Sequence, residues 1–275
     1  MNSTPFSVAM SVYIKDDPQS FDRALESITD AQSIKPDEIV LVCDGELNDK
    51  LDTVIEKYQN KWPIFNIIRL EQNGGLGNAL RIAIESANNE LIARMDSDDV
   101  SVSDRFEQEL NYFCQHPQID IVGGDITEFI SNETNVVGKR CVPKSDADIK
   151  SFMKKRAAFN HVTVMYKKSS VLNAGGYKDW FWNEDYYLWI RMQMQGCSFA
   201  NTGTVLVNVR VGEEMYQRRG GKKYFISEYG LQKMMLDNGM INIVTFFSNV
   251  AKRFVVQIML PNRIRGWVFR HFARS

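Results

Sequence analysis

No stretch of about twenty uninterrupted apolar residues occurs in the 275-residue chain, so no membrane-spanning helix is expected. The amino-terminal end lacks a basic segment followed by a long apolar run, so no secretory signal is expected either. The four cysteines, Cys43, Cys114, Cys141 and Cys197, lie far apart and have no paired zinc spacing. They read as reduced core thiols, with Cys43 and Cys114 in apolar stretches, which suits a cytosolic protein. The net charge is only -1, which removes the bulk electrostatic case for a nucleic-acid partner. A full dinucleotide fingerprint is missing as well. Gly75-Leu76-Gly77-Asn78-Ala79-Leu80 carries only its first two glycines and follows the third expected strand rather than the first. After Asp237 there is not one acidic residue, while Lys252, Arg253, Arg263, Arg265, Arg270 and Arg274 all fall there.

What is present is ordinary in bulk. Apolar residues make 44% and charged residues 24% of the chain, as in a globular protein long enough to bury a substantial core. One large domain, or one domain with an appendage, is expected. Strand and helix signals alternate. Phe6 to Ile14, Glu38 to Cys43, Ile64 to Leu70 and Glu90 to Met95 read as buried strands. Between them, Phe21, Ala24, Leu25 and Ile28, then Leu51, Val54, Ile55 and Tyr58, then Leu80, Ile82, Ala83 and Ile84 fall at helical spacing. Four such alternations with short joints predict an α/β fold whose parallel sheet is covered on both faces. Ligands of such sheets gather outside the carboxyl ends of the strands, where Asp44 and Asp96 both sit.

The chemistry concentrates at Asp96-Ser97-Asp98-Asp99. The apolar run Leu91-Ile92-Ala93 leads into three carboxylates within four residues, a crowding that a core does not tolerate. At an exposed strand end the same crowding suits a divalent cation. Mg2+ or Mn2+ takes oxygen ligands and leaves positions for substrate phosphates. Asp96 and Asp98 also share a side if the backbone is extended. A second copy, Asp146-Ala147-Asp148, reads instead as the acidic first turn of a surface helix capped by Ser145. Asn73-Gly74-Gly75 is a tight turn that lets backbone approach a ligand. Arg81, one turn into the following helix, reaches a phosphate or stays solvated.

Beyond Asp104 a helix through Phe106, Leu110 and Phe113 is expected, then a strand at Ile119 to Gly124. Phe159 to Tyr166 reads as a strand with a polar entry, and Gly175-Gly176-Tyr177 as a turn. Leu188, Arg191 and Met192 mark a helix whose first turn carries Glu184 and Asp185, an ordinary place for acids. The aromatic crowd around it, including Trp182, Tyr186, Tyr187 and Trp189, equally suits stacking against sugar rings.

Taken in order, these pieces resemble the family 2 glycosyltransferases, an inverting group with the GT-A fold. The matching features are Val8 to Tyr13, Asp44-Gly45, Asn73 to Gly77, Asp96-Ser97-Asp98, Gly175-Gly176-Tyr177 and Glu184-Asp185, and the resemblance runs over roughly residues 6 to 210. It looks most like bacterial enzymes that build O-antigen or capsule repeat units. The resemblance implies a UDP-sugar donor, glucose or galactose favoured, with Mn2+ or Mg2+. It also implies a lipid-diphosphate-linked saccharide acceptor. Ser11 and Tyr13 would line the base pocket and Asp44 would read the uracil or ribose edge. Asn73, Gly75, Arg81 and Ser97 would join them around the nucleotide. Asp96 would contact the nucleotide and share the metal with Asp98, its main ligand. Asp185 would be the catalytic base, with Glu184 positioning it or the acceptor. His161 would lie near the diphosphate or acceptor, or serve only as a hydrogen-bonded structural histidine.

The resemblance also implies a division of the chain. Residues 1–215 would form the catalytic domain, with a nucleotide-binding half to residue 100 and an acceptor-binding half after it. Residues 216–275 would form a basic helical extension. Phe246, Phe247, Val250, Phe254, Val255 and Ile258 make one apolar stripe there, and Ile264, Trp267, Val268 and Phe272 another. Such stripes either pack on the domain or lie on the anionic inner face of the cytoplasmic membrane. Arg218 to Lys223 reads as a lid over the diphosphates or a plain solvated loop. A sugar-nucleotide pyrophosphorylase is an alternative, although Tyr13 to Pro18 lacks the glycine-rich loop it would need. A non-catalytic, membrane-associated partner of another transferase is the second alternative.

Overall fold

The computed structural model describes residues 4–212 and 220–260. The carboxyl-terminal stripe of Ile264, Trp267, Val268 and Phe272, its arginines, and Arg218-Arg219 of the expected lid lie outside the described residues.

The first half of the chain is a run of strand–helix units. β1 (Phe6–Val12), β2 (Glu38–Cys43), β3 (Phe65–Arg69) and β4 (Leu91–Met95) are joined by α1 (Pro18–Ile28), α2 (Asp49–Lys61) and α3 (Leu76–Ser86). They pair in parallel in the order β3-β2-β1-β4. The run Glu38-Ile-Val-Leu-Val-Cys43 is apolar without alternation because both of its faces are covered. Val40 and Val42 pack toward α3, while Ile39, Leu41 and Cys43 pack toward α1 and α2. Each helix start has a local cause. Asp17 accepts the Ser20 amide at 2.8 Å with Pro18 at the first helical position, and Asn48 accepts the amides of Lys50 and Leu51, both at 3.1 Å. After β2 the chain moves out to β3, then returns across β1 to place β4 on its other side. The strand order therefore reverses at β1, and the crevice for a ligand opens above the ends of β1, β2 and β4.

The second half extends the sheet in mixed fashion. Its elements are β5 (Val100–Ser101), α4 (Arg105–Gln115), β6 (Ile121–Phe129), β7 (Val136–Arg140), α5 (Asp146–Met153), β8 (Met165–Lys167), α6 (Lys168–Asn173), α7 (Glu184–Met194) and β9 (Phe199–Arg210). The sheet continues past β4 as β8-β6-β9-β5, with β7 on β6. β8 runs antiparallel to β4 and β6, while the long β9 is parallel to β6. Ser145 caps α5 as expected for the second acidic triplet, accepting the Asp148 amide at 3.2 Å.

Two expectations are corrected. Phe159 to Tyr166 is not one strand: it is a 3-10 turn at His161–Thr163 followed by the short β8. The Thr163 hydroxyl donates to the Asn160 carbonyl at 2.8 Å, and the Asn160 amide donates to the Gly124 carbonyl at 2.8 Å. These side chains offer the backbone a turn in place of a ladder. Cys114 and Cys141, expected in the core, are exposed, the first of them on α4. Cys43 and Cys197 are buried, and all four cysteines are free thiols.

Helices α8 (Lys222–Asp237) and α9 (Ile243–Phe254), with a π-helical turn at Val255–Met259, close the molecule. They are fastened by buried polar contacts. The Asn249 amide donates to the Lys154 carbonyl and to Gln232, both at 2.8 Å, and Gln257 donates to Glu228 at 3.0 Å. Among the described residues no helix is long and apolar enough to cross a membrane.

Candidate active site

The crevice above β1, β2 and β4 is a cavity of about 840 Å3. Ser11, Tyr13, Asp44, Asn73, Gly75, Asp96, Ser97 and Asp98 all line it, together with Glu184 and the aromatic run Trp180 to Trp182. Its floor is a locked loop. Asp44 at the end of β2 accepts the amides of Gly74 at 2.7 Å and Gly75 at 3.0 Å, and the Asn73 side chain donates to the Asp44 carbonyl at 3.1 Å. Gly45 makes this approach possible. Its φ is +92°, and a Cβ there would sit 2.9 Å from the Asn73 nitrogen.

The carboxylates at the end of β4 are held by groups that the sequence reading left unassigned. Arg94, fully buried on β4, forks both guanidinium nitrogens onto the Asp96 carboxylate. Residues two apart on a strand share a face, so this pairing was implicit in the spacing. Asp16, in the loop after β1, accepts the Ser97 hydroxyl at 2.7 Å and the Tyr13 amide at 3.1 Å. That ties the end of β1 to the acidic turn. Arg210, the last residue of β9, donates its amide to Asp99 at 2.8 Å and its Nε to the Asp98 carbonyl at 3.1 Å. Nothing local marked it, because the pairing spans more than a hundred residues.

Burial, then the charges of Asp96 and Asp16, push the Asp98 carboxyl up to about 6, with Arg210 and Arg94 only partly opposing. The site thus holds more negative charge than its arginines offset. A divalent cation fits that imbalance, with Asp98 and Asp96 as the residues to hold it. Among the described residues no group of three or more His, Cys, Asp or Glu is arranged to hold an ion unaided. A cation sharing its oxygens between one or two carboxylates, water and substrate phosphates does not require such a group.

A second cavity, of about 460 Å3, adjoins the first, and Asp96 and Trp182 line both. Asp185, His161 and Arg94 are on its wall. Glu184 and Asp185 are consecutive in the first turn of α7, so the helix turn directs one carboxylate to each cavity. Burial, then the neighbouring Asp185 charge, raises the Glu184 carboxyl to about 7. Ahead of it, Trp182 holds φ +59°, a left-handed conformation that a bulky residue adopts only when its surroundings impose it. Those surroundings are firm. Trp180 stacks on Tyr187 at 4.3 Å and donates to the Ser227 carbonyl at 3.1 Å, and the Asn183 amide donates to the Ser227 hydroxyl at 3.1 Å. Trp182 is left 46% exposed between the two cavities.

His161 lies with Asp185 rather than with the glycine loop. Its Nε2 is 2.6 Å from the Tyr177 hydroxyl, and burial, then the Arg94 charge, drives its pKa well below the usual value, so the ring is neutral. The Gly175-Gly176-Tyr177 turn that presents Tyr177 is pinned by Arg191, which donates to the carbonyls of Ala174 and Gly176. Arg81 is the sequence candidate that the geometry leaves aside. Its guanidinium donates to Glu85 at 2.8 Å and Asn78 at 2.9 Å on its own helix, and it lines neither cavity. Spacings of three and four residues satisfy it there.

The family profile described as Glycosyl transferase family 2 matches residues 7–181. This chain belongs to that family. Two relatives from bacterial polysaccharide synthesis align over most of it. The amylovoran biosynthesis glycosyltransferase AmsE of Erwinia amylovora is 37% identical over 84% of this chain and 85% of its own. The UDP-Gal:alpha-D-GlcNAc-diphosphoundecaprenol beta-1,3-galactosyltransferase of Escherichia coli is 34% identical over 99% and 98%. Among solved structures, S. aureus TarS superimposes with a TM-score of 0.65 at 18% identity, over 92% of this chain but 44% of TarS. The mannosyltransferase PcManGT of Pyrobaculum calidifontis, in complex with GDP-Man and Mn2+, gives 0.63 at 15% identity over 96% and 72%. The fold is GT-A, and the protein is a family 2 glycosyltransferase similar to enzymes of bacterial polysaccharide synthesis. The pyrophosphorylase and non-catalytic alternatives fall with that assignment.

Proposed function

We propose that this glycosyltransferase moves a hexose, glucose or galactose, from a UDP-sugar to a hydroxyl of a lipid-diphosphate-linked saccharide, with inversion, in surface polysaccharide synthesis. One observation carries the reading: two cavities meet at Asp96 and Trp182, and one helix turn offers a carboxylate to each. The larger cavity, with Asp44, the Asn73–Gly75 loop and the β4 carboxylates, takes the nucleotide and its diphosphate. The smaller takes the acceptor. Trp182 stacks against a sugar ring at the junction.

In this mechanism Asp185 accepts the proton of the acceptor hydroxyl as its oxygen attacks the anomeric carbon. The bond from that carbon to the diphosphate oxygen breaks on the opposite face, and UDP leaves with the electron pair. A single displacement turns an alpha-linked donor into a beta-linked product. A cation bound at Asp98 and Asp96 would supply charge to the departing diphosphate oxygens. Arg94 keeps Asp96 oriented, and the neutral His161 donates or accepts a hydrogen bond without competing for the proton. The Escherichia coli relative favours this donor and acceptor class, since it is named for UDP-Gal and a diphosphoundecaprenol-linked GlcNAc. Peripheral association with the inner membrane face follows from the same acceptor class.

The test is UDP release from a panel of UDP-sugars with Mn2+ and a lipid-diphosphate sugar. Asp98→Asn and Asp185→Asn should each lower turnover by about a hundredfold or more while the melting transition is retained. Sugar transfer at the wild-type rate in either folded variant counts against that residue's role. No UDP release with any donor counts against the reading as a whole.

A further inference from the structure

We propose that Arg140, Arg156 and Lys252, on the wall of the smaller cavity, form a diphosphate subsite for the acceptor. The inference rests on the acceptor reading above and specifies where the acceptor's phosphates go.

Two chemically different groups line the cavity. Asp96, Asp99, Asp185 and His161 make up one. Arg140, Arg156, Lys252 and Arg253 make up the other, from three separate parts of the chain that meet at the segment Lys155 to Ala157: the end of β7, that segment itself, and α9. Glu228 also lines the cavity and is engaged by both Arg253 and Gln257. Arg253 also donates to the Lys155 carbonyl at 2.6 Å, so it serves to fasten α9 onto the segment that carries Arg156. The Arg140 guanidinium donates to the Ala157 carbonyl at 3.1 Å, and that of Arg156 lies 5.5 Å from the Phe152 ring centroid. Both are half-buried and held close to the cavity wall, whereas Lys252 is exposed at its rim.

Arginine's planar fork matches phosphate oxygens, and a lysine adds a point charge. The donor's diphosphate does not account for this cluster, because none of these cations lines the donor cavity. A hexopyranose linked through its anomeric carbon to a diphosphate carries its C3 and C4 hydroxyls on the far part of the ring from the phosphates. With one of those hydroxyls at Asp185, the diphosphate points away from that carboxylate, and the cations are the groups of the cavity wall suited to receive it. The same helix that carries Lys252 continues into exposed Phe254, Val255 and Ile258, an apolar track for the lipid chain that follows the phosphates.

Calorimetric titration of the full chain with farnesyl diphosphate, farnesol and inorganic diphosphate tests this. Farnesyl diphosphate should bind the wild type, and Arg156→Ala and Lys252→Ala should each weaken it by about tenfold or more. Inorganic diphosphate should lose a similar factor, while farnesol binding and UDP affinity should stay within about twofold. Lys252 is exposed, so its variant folds even if Arg156→Ala does not. Absence of farnesyl diphosphate binding, or unchanged affinity in Lys252→Ala, would overturn the subsite. So would loss of UDP affinity in step with farnesyl diphosphate, which would hand the cations to the donor. Failure of the wild type to bind UDP is a different result and strikes the donor reading instead.

Discussion

Glu184 and Asp185 are adjacent in sequence, yet their environments separate their work. The Glu184 carboxyl is raised from 4.5 to about 7 by burial and by the Asp185 charge. The folded protein therefore holds that proton more tightly than the unfolded chain does. The resulting stabilisation is complete below about pH 4.5 and is lost as pH rises through 7. Glu184→Gln is uncharged throughout and should melt a few degrees above wild type near pH 8, with the gap closing toward pH 5. Melting curves at the two pH values check this, and a gap that does not change with pH would mean Glu184 is not titrating as its surroundings dictate. Residue identity alone pointed to Asp44, Asp96, Asp98 and Asp185 because acids at strand ends and helix starts are conspicuous. It did not point to Arg94 or Arg210. Their partners are fixed by a shared strand face in one case and by a pairing across the sheet in the other.

At the scale of the element, α9 separates what its sequence blends. Phe246, Phe247, Val250, Phe254, Val255 and Ile258 read as one apolar stripe, but the helix turns Phe246 and Asn249 inward and leaves Phe247 63% and Val244 73% exposed. A helix apolar on two faces gives a blurred period, so the buried side could not be told from the outer one in advance. The outer side carries Val244, Phe247, Phe254, Val255, Ile258 and Met259, with Lys252 among them. Lys222 and Lys223 lie close by, because the Gly221 amide donates to the Gln257 carbonyl at 3.1 Å. An apolar face edged by lysines suits the interface of an anionic bilayer, where each basic residue adds about 1 kcal/mol. The full chain should therefore sediment with vesicles containing anionic lipid, and more weakly with neutral ones. Val244→Ser with Phe247→Ser should lower that binding by about tenfold, since burying each apolar side chain contributes about 1.5–3 kcal/mol at most. Because both side chains are exposed, melting should be unaffected. Equal binding of variant and wild type would remove this face from contact with the membrane.

Across the whole molecule, legibility follows the distance over which pairing is decided. β1 to β4 were readable because each strand–helix unit carries its own periodicity and its own caps, as with Asp17 and Asn48. The two-residue β5, the three-residue β8 and the placement of β9 beside β6 depend on contacts between distant segments, which no local pattern encodes. The site inherits this division. The larger cavity is built mostly from the readable half, while β9 and α7 bring Arg210 and Glu184 to it from the other and α7 places Asp185 in the smaller one. The two halves meet at the β4 carboxylates, where Asp16, Asp96 and Asp98 crowd together and Asp98 is held up at about 6. Crowded acids repel a diphosphate unless a cation intervenes, so nucleotide and metal should stabilise the fold jointly rather than independently. With Mn2+ present, UDP at about a hundred times its dissociation constant should add roughly 2.7 kcal/mol, or about 5–10 °C in melting temperature. With EDTA in place of the cation the same UDP concentration should give a much smaller shift. Asp98→Asn should erase the difference between the two conditions, since it would remove both the proposed principal metal ligand and part of the repulsion. Additive shifts from UDP and Mn2+ in the wild type would mean that the cation does not bridge protein and nucleotide, and that Arg94 and Arg210 alone offset the diphosphate charge.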